Sequence, residues 1–278
     1  MLTIIIGAII VGLILGLLGS GGSAIMVPIL VYLVGHEAKV SIAESMAIVG
    51  AVSAAGTLPY LSKKLIDWNS VLLFGIPAMA GTFIGAWLGG LSTDAMQLIV
   101  FGLVLILSAV LMIKKAFGKS SKQANADNPD RPPLDMRRGL LILIEGIVVG
   151  ALTGFVGVGG GFLIVPALFI LGKLPMRTAI ATSLVIIVMK SIVGFFKYQH
   201  VLSERGLSVD WSTIGIFVGI GVAGCLIGQL LNSKLNQNAL KKVFAIFLVL
   251  IGLFVIVKEG TKVFGQKEKP VSTTVLDR

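Results

Sequence analysis

Charge is scarce in this sequence. Only 13% of its 278 residues are Asp, Glu, Lys or Arg, against about 25% in an average soluble domain. With 56% hydrophobic residues and a mean hydropathy of +1.00, the chain has too few polar groups to coat a soluble globule. Cysteine is scarcer still. Cys225 stands alone in an apolar segment, which excludes an intramolecular disulfide and leaves it a packing role. The two histidines, His36 and His200, fall at the ends of apolar segments with no Cys, His or acidic cluster at metal spacing, so they read as interfacial polar residues and no metal is expected. No Walker motif is present, which argues against direct coupling to ATP. Gly157-x-Gly159 opens a G-x-G-G, but no βαβ pattern surrounds it and dinucleotide binding is rejected. With no nucleophile–base pair either, the chain reads as a non-enzyme without a cofactor.

Long apolar runs take the place of what is missing. They lie near residues 2–18, 40–60, 69–91, 96–113, 139–156, 178–196, 211–231 and 239–257, each close to the length of about 20 residues that spans a bilayer. The fold class expected is an all-α polytopic membrane protein with about eight transmembrane helices, resident in the cell (inner or plasma) membrane. The first run lacks a basic n-region, and glycine-rich sequence follows it in place of a small-residue cleavage site, so it is expected to be retained. The net charge of +10 sits at span flanks: Lys114, Lys115, Lys119, Lys122, Arg131, Arg137 and Arg138 near the middle, and Lys258, Lys262, Lys267, Lys269 and Arg278 at the end. Basic flanks mark a cytoplasmic face, which makes the lipid bilayer the partner and excludes nucleic acid. Trp68, Tyr60, Trp211 and Tyr198 fall at span ends, as an aromatic belt does.

Residues 118–135, "GKSSKQANADNPDRPPLD", form a polar linker that divides the chain almost in half. The halves repeat. At an offset of 138 residues, Gly12, Gly16, Gly19, Gly21, Gly22, Val27 and Pro28 match Gly150, Gly154, Gly157, Gly159, Gly160, Val165 and Pro166. The same offset pairs Ile42, Ala43 and Ser45 with Ile180, Ala181 and Ser183, and an offset of 143 pairs Asp67–Trp68 with Asp210–Trp211. The organisation expected is a first repeat at 1–117, the linker at 118–135, a second repeat at 136–260 and a basic tail at 261–278.

Each repeat breaks its own helix, at "GLLGSGGSAIMVP" and at "GFVGVGGGFLIVP". Only about ten apolar residues follow each break, Ala24 to Val34 and Phe162 to Leu171, too few to span and suited to a re-entrant half-helix. Paired broken helices in the halves of a transporter point to its binding site. The glycines allow a sharp turn and close backbone approach, and the unpaired N–H groups that open the next half-helix attract anions. Gly19, Gly21, Gly22, Gly157, Gly159, Gly160 and Gly161 are the candidate backbone donors, with the hydroxyls of Ser20, Ser23 and Thr153 beside them. Gly12/Gly16 and Gly150/Gly154 also have the small-xxx-small spacing of helix contacts. Packing alone leaves the glycine cluster, the proline and the short second segment unexplained.

The doubled "GSGGSAIMVP" and "GVGGGFLIVP", the "ATSL" at Ala181–Leu184, the doubled Asp-Trp and the polar central loop resemble the sulfite exporter TauE/SafE family of small bacterial membrane proteins. The resemblance covers nearly the whole chain. It implies secondary transport of small sulfur-containing anions such as sulfite, sulfonates or thiosulfate, and it adds Ser45, Thr182 and Ser183 to the candidate site. The first half departs from the pattern, with Glu44–Ser45 where the second has Thr182–Ser183.

Three ionisable residues fall inside spans, where each is a functional candidate by default and snorkelling is the alternative. Lys190 is a candidate anion contact; its repeat equivalent is Val52. Glu44 and Glu145 are candidate coupling residues. The leading expectation is a secondary transporter in which the halves move to alternate access. A passive anion channel, or a membrane enzyme or assembly factor, remains open, as do the coupling ion, the direction of transport and the oligomeric state. Four spans per half, an even number of crossings, predict parallel halves with both termini on the cytoplasmic side beside the linker, although Lys234, Lys241 and Lys242 then fall outside.

Overall fold

The computed structural model describes residues 2–18, 22–117, 136–170, 172, 174–232 and 237–265, and every regular element among them is a helix. Five helices precede the linker: α1 Leu2–Leu18, α2 Ser23–Val34, α3 Ala38–Ser62, α4 Trp68–Leu91 and α5 Asp94–Phe117. Five follow it: α6 Met136–Val156, α7 Gly161–Ile170, α8 Met176–Glu204, α9 Trp211–Asn232 and α10 Gln237–Gly265. The linker and the tail from residue 266 lie outside the described residues.

Among the described residues, five stretches are long and apolar enough to cross a bilayer: Ala38–Ser62, Trp68–Leu91, Gly139–Val156, Arg177–Glu204 and Trp211–Leu231. Ile4–Leu17, Ser23–Val34 and Asp94–Val110 are apolar but shorter. Large apolar side chains such as Leu91, Phe196 and Leu230 stand exposed on the outer surface, where lipid is the medium that covers them. This is a multi-pass membrane protein.

Local chemistry explains the helix starts and irregularities. The Asp67 carboxylate accepts from the Ser70 amide (3.2 Å) and hydroxyl (2.5 Å), capping α4; Asp210 accepts from the Ser212 amide (2.9 Å) and the Thr213 hydroxyl (2.7 Å), capping α9. The tryptophan after each aspartate is exposed at the helix start, as an interfacial residue should be. Tyr198 departs from the belt expected of it: it is wholly buried. Prolines loosen two helices. Residues Ile29–Val34 after Pro28, and Val71–Gly75 before Pro77, take π-helical geometry, the missing proline N–H leaving the ladder free to slip.

Glycines set the closest packing. Gly12 and Gly16 of α1 face the backbone of Gly221 and Cys225 in α9, while Gly146, Gly150 and Gly154 of α6 face Phe74, Ala78 and Thr82 in α4. The Gly81/Gly85/Gly89 stripe of α4 serves this same α6 contact inside the chain. At the centre α3 crosses α8, with Gly50 against Ser191 and Met46 against Gly194, and Gly102 of α5 meets Ile256 of α10. Each of these pairings joins a helix from before the linker to one from after it.

The same contacts fix helix direction. Numbers rise together along α1 and α9 and along α4 and α6, so those pairs are parallel; they run opposite along α3 and α8. Hydrogen bonds gather the starts of α3, α5 and α9 with the ends of α4, α6 and α8 at one end of the bundle. The opposite end joins the starts of α4 and α8 and the ends of α3 and α9. So α1 and α3 run one way, and α6 and α8 run the other. The parallel arrangement expected of the halves is therefore corrected. Its physical cause is α2, which folds back along α1: Gly22 lies against Val11 and Leu15, and Ile29 lies against Gly7. That return adds a reversal to the half and makes its count of crossings odd.

Candidate functional site

The second break is formed by residues 157–160. The amides of Gly157 and Val158 close on the Thr153 carbonyl (3.0 and 3.1 Å) and end α6. Gly157 and Gly160 take φ of +75° and +69°, a region that glycine enters without strain. The Leu163 and Ile164 amides then close on the Gly160 carbonyl (3.0 and 3.1 Å) to start α7. The amides of Gly161 and Phe162 precede the first acceptor of that helix and have no intrahelical partner. Residues 157–161 are all buried, so the Gly161 donor lies inside the protein.

Side chains from three other elements surround this turn. Ser45 on α3 donates from its hydroxyl to the Gly157 carbonyl. A Cβ at Gly159 would run into Val49 of α3 and stand 3.1 Å from the Cβ of Ser23 and 3.4 Å from Ile187 of α8. Ser23 opens α2, so the start of α2 lies against the second break. A Cβ at Gly160 would meet Thr153 and lie 2.5 Å from the Lys190 Nζ. Lys190 is 1% exposed and donates to the Thr153 hydroxyl, which donates in turn to the Val149 carbonyl (2.7 Å). Among the described residues, no carboxylate forms an ion pair with it. A buried ammonium with one hydroxyl partner keeps donor capacity for a further ligand.

The remaining sequence candidates are distributed as follows. Gly19, Ser20 and Gly21 lie outside the described residues, so the first break is seen only from Gly22 onward. Ser183 returns its hydroxyl to the Ile180 carbonyl (2.8 Å), as Ser45 also does to Ile42 (2.8 Å). Thr182 accepts from the Asp67 amide (3.0 Å) and acts as a joint between α8 and the start of α4. Glu44 is wholly buried at the opposite end; one oxygen accepts from the Asp210 amide (2.8 Å), and the other lies 2.7 Å from the His36 Nδ1. The Asp210 carboxyl itself is held below the usual carboxylate range, chiefly by the Thr213 hydroxyl. Glu145 lies 12 residues before Gly157 on α6, about 18 Å back along a helix, and is not brought to the break. One of its oxygens is shielded and has no partner among the described residues.

Other polar residues hold the break from behind. Tyr198 donates to the Phe155 carbonyl (2.9 Å), and Gln97 donates to the same carbonyl (2.5 Å) and to the Tyr198 hydroxyl (2.6 Å). Lys39, also buried, donates to the carbonyls of Gly89 (3.0 Å) and Ser92 (2.8 Å) at the end of α4, where a cation suits the helix dipole. Little in the sequence signals them: a tyrosine near a span end reads as belt, and a lysine near a span start reads as interface.

Apolar helices around a buried glycine turn and a buried lysine define a polytopic membrane protein of the broken-helix kind. The family model described as "Sulfite exporter TauE/SafE" matches residues 4–255, and the chain belongs to that family. A "Probable membrane transporter protein" of Xylella fastidiosa (strain 9a5c) is 30% identical over 251 residues, covering 89% of this chain and 91% of that protein. The "Probable membrane transporter protein YunE" of Bacillus subtilis is 29% identical over 262 residues, 88% and 94% of the two chains. A similarly named protein of Methanocaldococcus jannaschii is 26% identical over 263 residues, 89% and 94%. These are membrane transporters by name, and the names specify no substrate. No solved structure matches the chain.

Proposed function

We propose that this protein is a secondary transporter of small anions, sulfite, sulfonate or related sulfur oxyanions, with the anion held between the paired breaks by alternating access. The observation that carries this reading is Lys190. An ionised lysine at the centre of a membrane helix costs about 2.5–3.5 kcal/mol on insertion scales. Its ammonium is buried beside a glycine turn, and the residues after that turn open α7 with amides that have no intrahelical partner. An anion entering there receives charge from Lys190 and directed N–H donors from the backbone.

The chain is read as an inverted duplication with repeats at 1–117 and 136–260. Each repeat has a broken-helix hairpin followed by three longer helices. Two hydrogen bonds support this reading. The Asp67 amide donates to Thr182, and the Asp210 amide donates to Glu44; these are equivalent contacts under the sequence repeat, made in both directions across the halves. Glu44 adds a carboxylate and its His36 partner where the other half has only a hydroxyl, which makes it the better coupling candidate of the two acids.

The test is flux of radiolabelled sulfite into liposomes holding purified protein, with and without a proton gradient. Wild-type flux that responds to the gradient is expected. Lys190→Met should lower flux at least tenfold with normal insertion, and Lys190→Arg should recover part of it. Gradient-independent flux favours a channel. Wild-type flux in Lys190→Met at all pH values overturns the site.

A further inference from the structure

Two serines outside the candidate set occupy equivalent places in the repeat. Ser53 on α3 and Ser191 on α8 stand 138 residues apart, the offset that pairs Ser45 with Ser183. Their residues are 0% and 2% exposed, and neither hydroxyl has a hydrogen-bond partner among the described residues. That is unusual in this molecule. A helical Ser or Thr normally returns its hydroxyl to a carbonyl one turn back, and Ser45, Thr57, Ser108, Thr153 and Ser183 all do so. A buried hydroxyl without a partner destabilises the fold. Finding two at repeat-equivalent positions points to a shared use.

Their direction follows from helix geometry. Ser45, Val49 and Ser53 recur every four residues and form one stripe on α3; Ser183, Ile187 and Ser191 form the matching stripe on α8. The first stripe faces the second break, since Ser45 bonds to Gly157 and Val49 blocks a Cβ at Gly159. Ile187 of the other stripe meets the same Gly159. Ser53 and Ser191 continue these stripes by one turn. Gly50 lies level with Ser191, where an added Cβ would come within 3.0 Å of the serine Cβ. Ser53 is therefore about three residues, or about 4.5 Å, further along the bundle axis. Lys190 precedes Ser191 in the chain.

We infer that the Ser53 and Ser191 hydroxyls are donors to the bound anion, one from each repeat, in the central crossing of α3 and α8. This rests on the reading of Lys190 and the glycine turn as an anion site, and it extends that site along the axis. The class of ligand is a small oxyanion, whose several oxygens can accept from two hydroxyls and an ammonium at once.

The test uses full-length protein in liposomes and radiolabelled sulfite as the probe, with Ser53→Ala, Ser191→Ala, the double variant and Lys190→Met in parallel. Each single serine variant should weaken sulfite affinity about tenfold, the scale of one hydrogen bond to a charged group, and the double variant more. The melting temperature without sulfite should stay level or rise, because a hydroxyl that bonds to nothing in the fold is removed. A fall in melting temperature with unchanged sulfite affinity marks the serines as structural and overturns the inference. Loss confined to sodium-dependent flux assigns them to a cation and also overturns it. Wild-type affinity in the serine variants with loss in Lys190→Met overturns the serines alone. Loss in the serine variants with normal Lys190→Met keeps the serines and overturns the lysine. No sulfite binding by the wild type overturns both.

Discussion

Gly160 shows how much one residue decides here. Its φ of +69° is a conformation that side chains rarely adopt, and the space a Cβ would fill is held by Thr153 and the Lys190 ammonium. Gly160→Ala therefore carries backbone strain of about 1–3 kcal/mol and also displaces the lysine. Sulfite flux in liposomes is expected to fall at least tenfold, and the melting temperature is expected to drop. Gly219→Ala is the control, because nothing lies within 4 Å of that position, and it should leave both measurements unchanged. Equal behaviour of the two variants removes Gly160 from the site. Glu44 makes the complementary point. Its carboxylate performs the same amide-accepting task as Thr182 in the other half, so the departure from repeat pattern keeps the joint and adds the contact with His36.

At the scale of elements, the helices are held by backbone contact across glycines, which leaves no room for repacking. Gly150 lies against the backbone of Ala78, and Gly154 against that of Thr82. A backbone neighbour cannot swing away as a side chain does, so Gly150→Val should separate α6 from α4. The expected result is loss of monodisperse protein after extraction, read by size-exclusion chromatography. Gly215→Val on α9, where nothing lies within 4 Å, should extract normally. These contacts also limit what can move. The pairs α1–α9, α3–α8, α4–α6 and α5–α10 each join helices from opposite sides of the linker, so the two sequence halves cannot rock as separate bodies without opening α1 from α9 and α4 from α6.

For the whole molecule the testable quantity is sidedness. The ends of α5 and α9 and the starts of α6, α8 and α10 face one way, while α1 starts and α10 ends at the other. Lys63, Lys64 and Arg177 sit at the linker end, and Lys241 and Lys242 belong to the first turns of α10, at that same end. By the positive-inside rule the linker end is predicted to be cytoplasmic; Lys258 and Lys262, in the last turns of α10, then fall on the far side, which replaces the expectation that the basic tail shares the side of the linker. Reporter fusions should place residue 125 in the cytoplasm and the C-terminus across the membrane. A C-terminus on the same side as residue 125 overturns the helix directions described above.

The sequence by itself determined the membrane, the glycine breaks, the short helices after them and the family resemblance. These properties are written in composition, spacing and local backbone preference, and they need no knowledge of which helices touch. The internal repeat was read for the same reason, from matches at offsets of 138 and 143 residues. Only the tertiary structure decided what those parts do together. It put Lys190 on Thr153 and Ser23 against Gly159, and turned Tyr198 from a supposed belt residue into a buried clamp on the end of α6. It also reversed one half against the other, because a turn-back of α2 along α1 depends on packing between faces, and a hydrophobic run of about ten residues has the same composition whether it returns or continues.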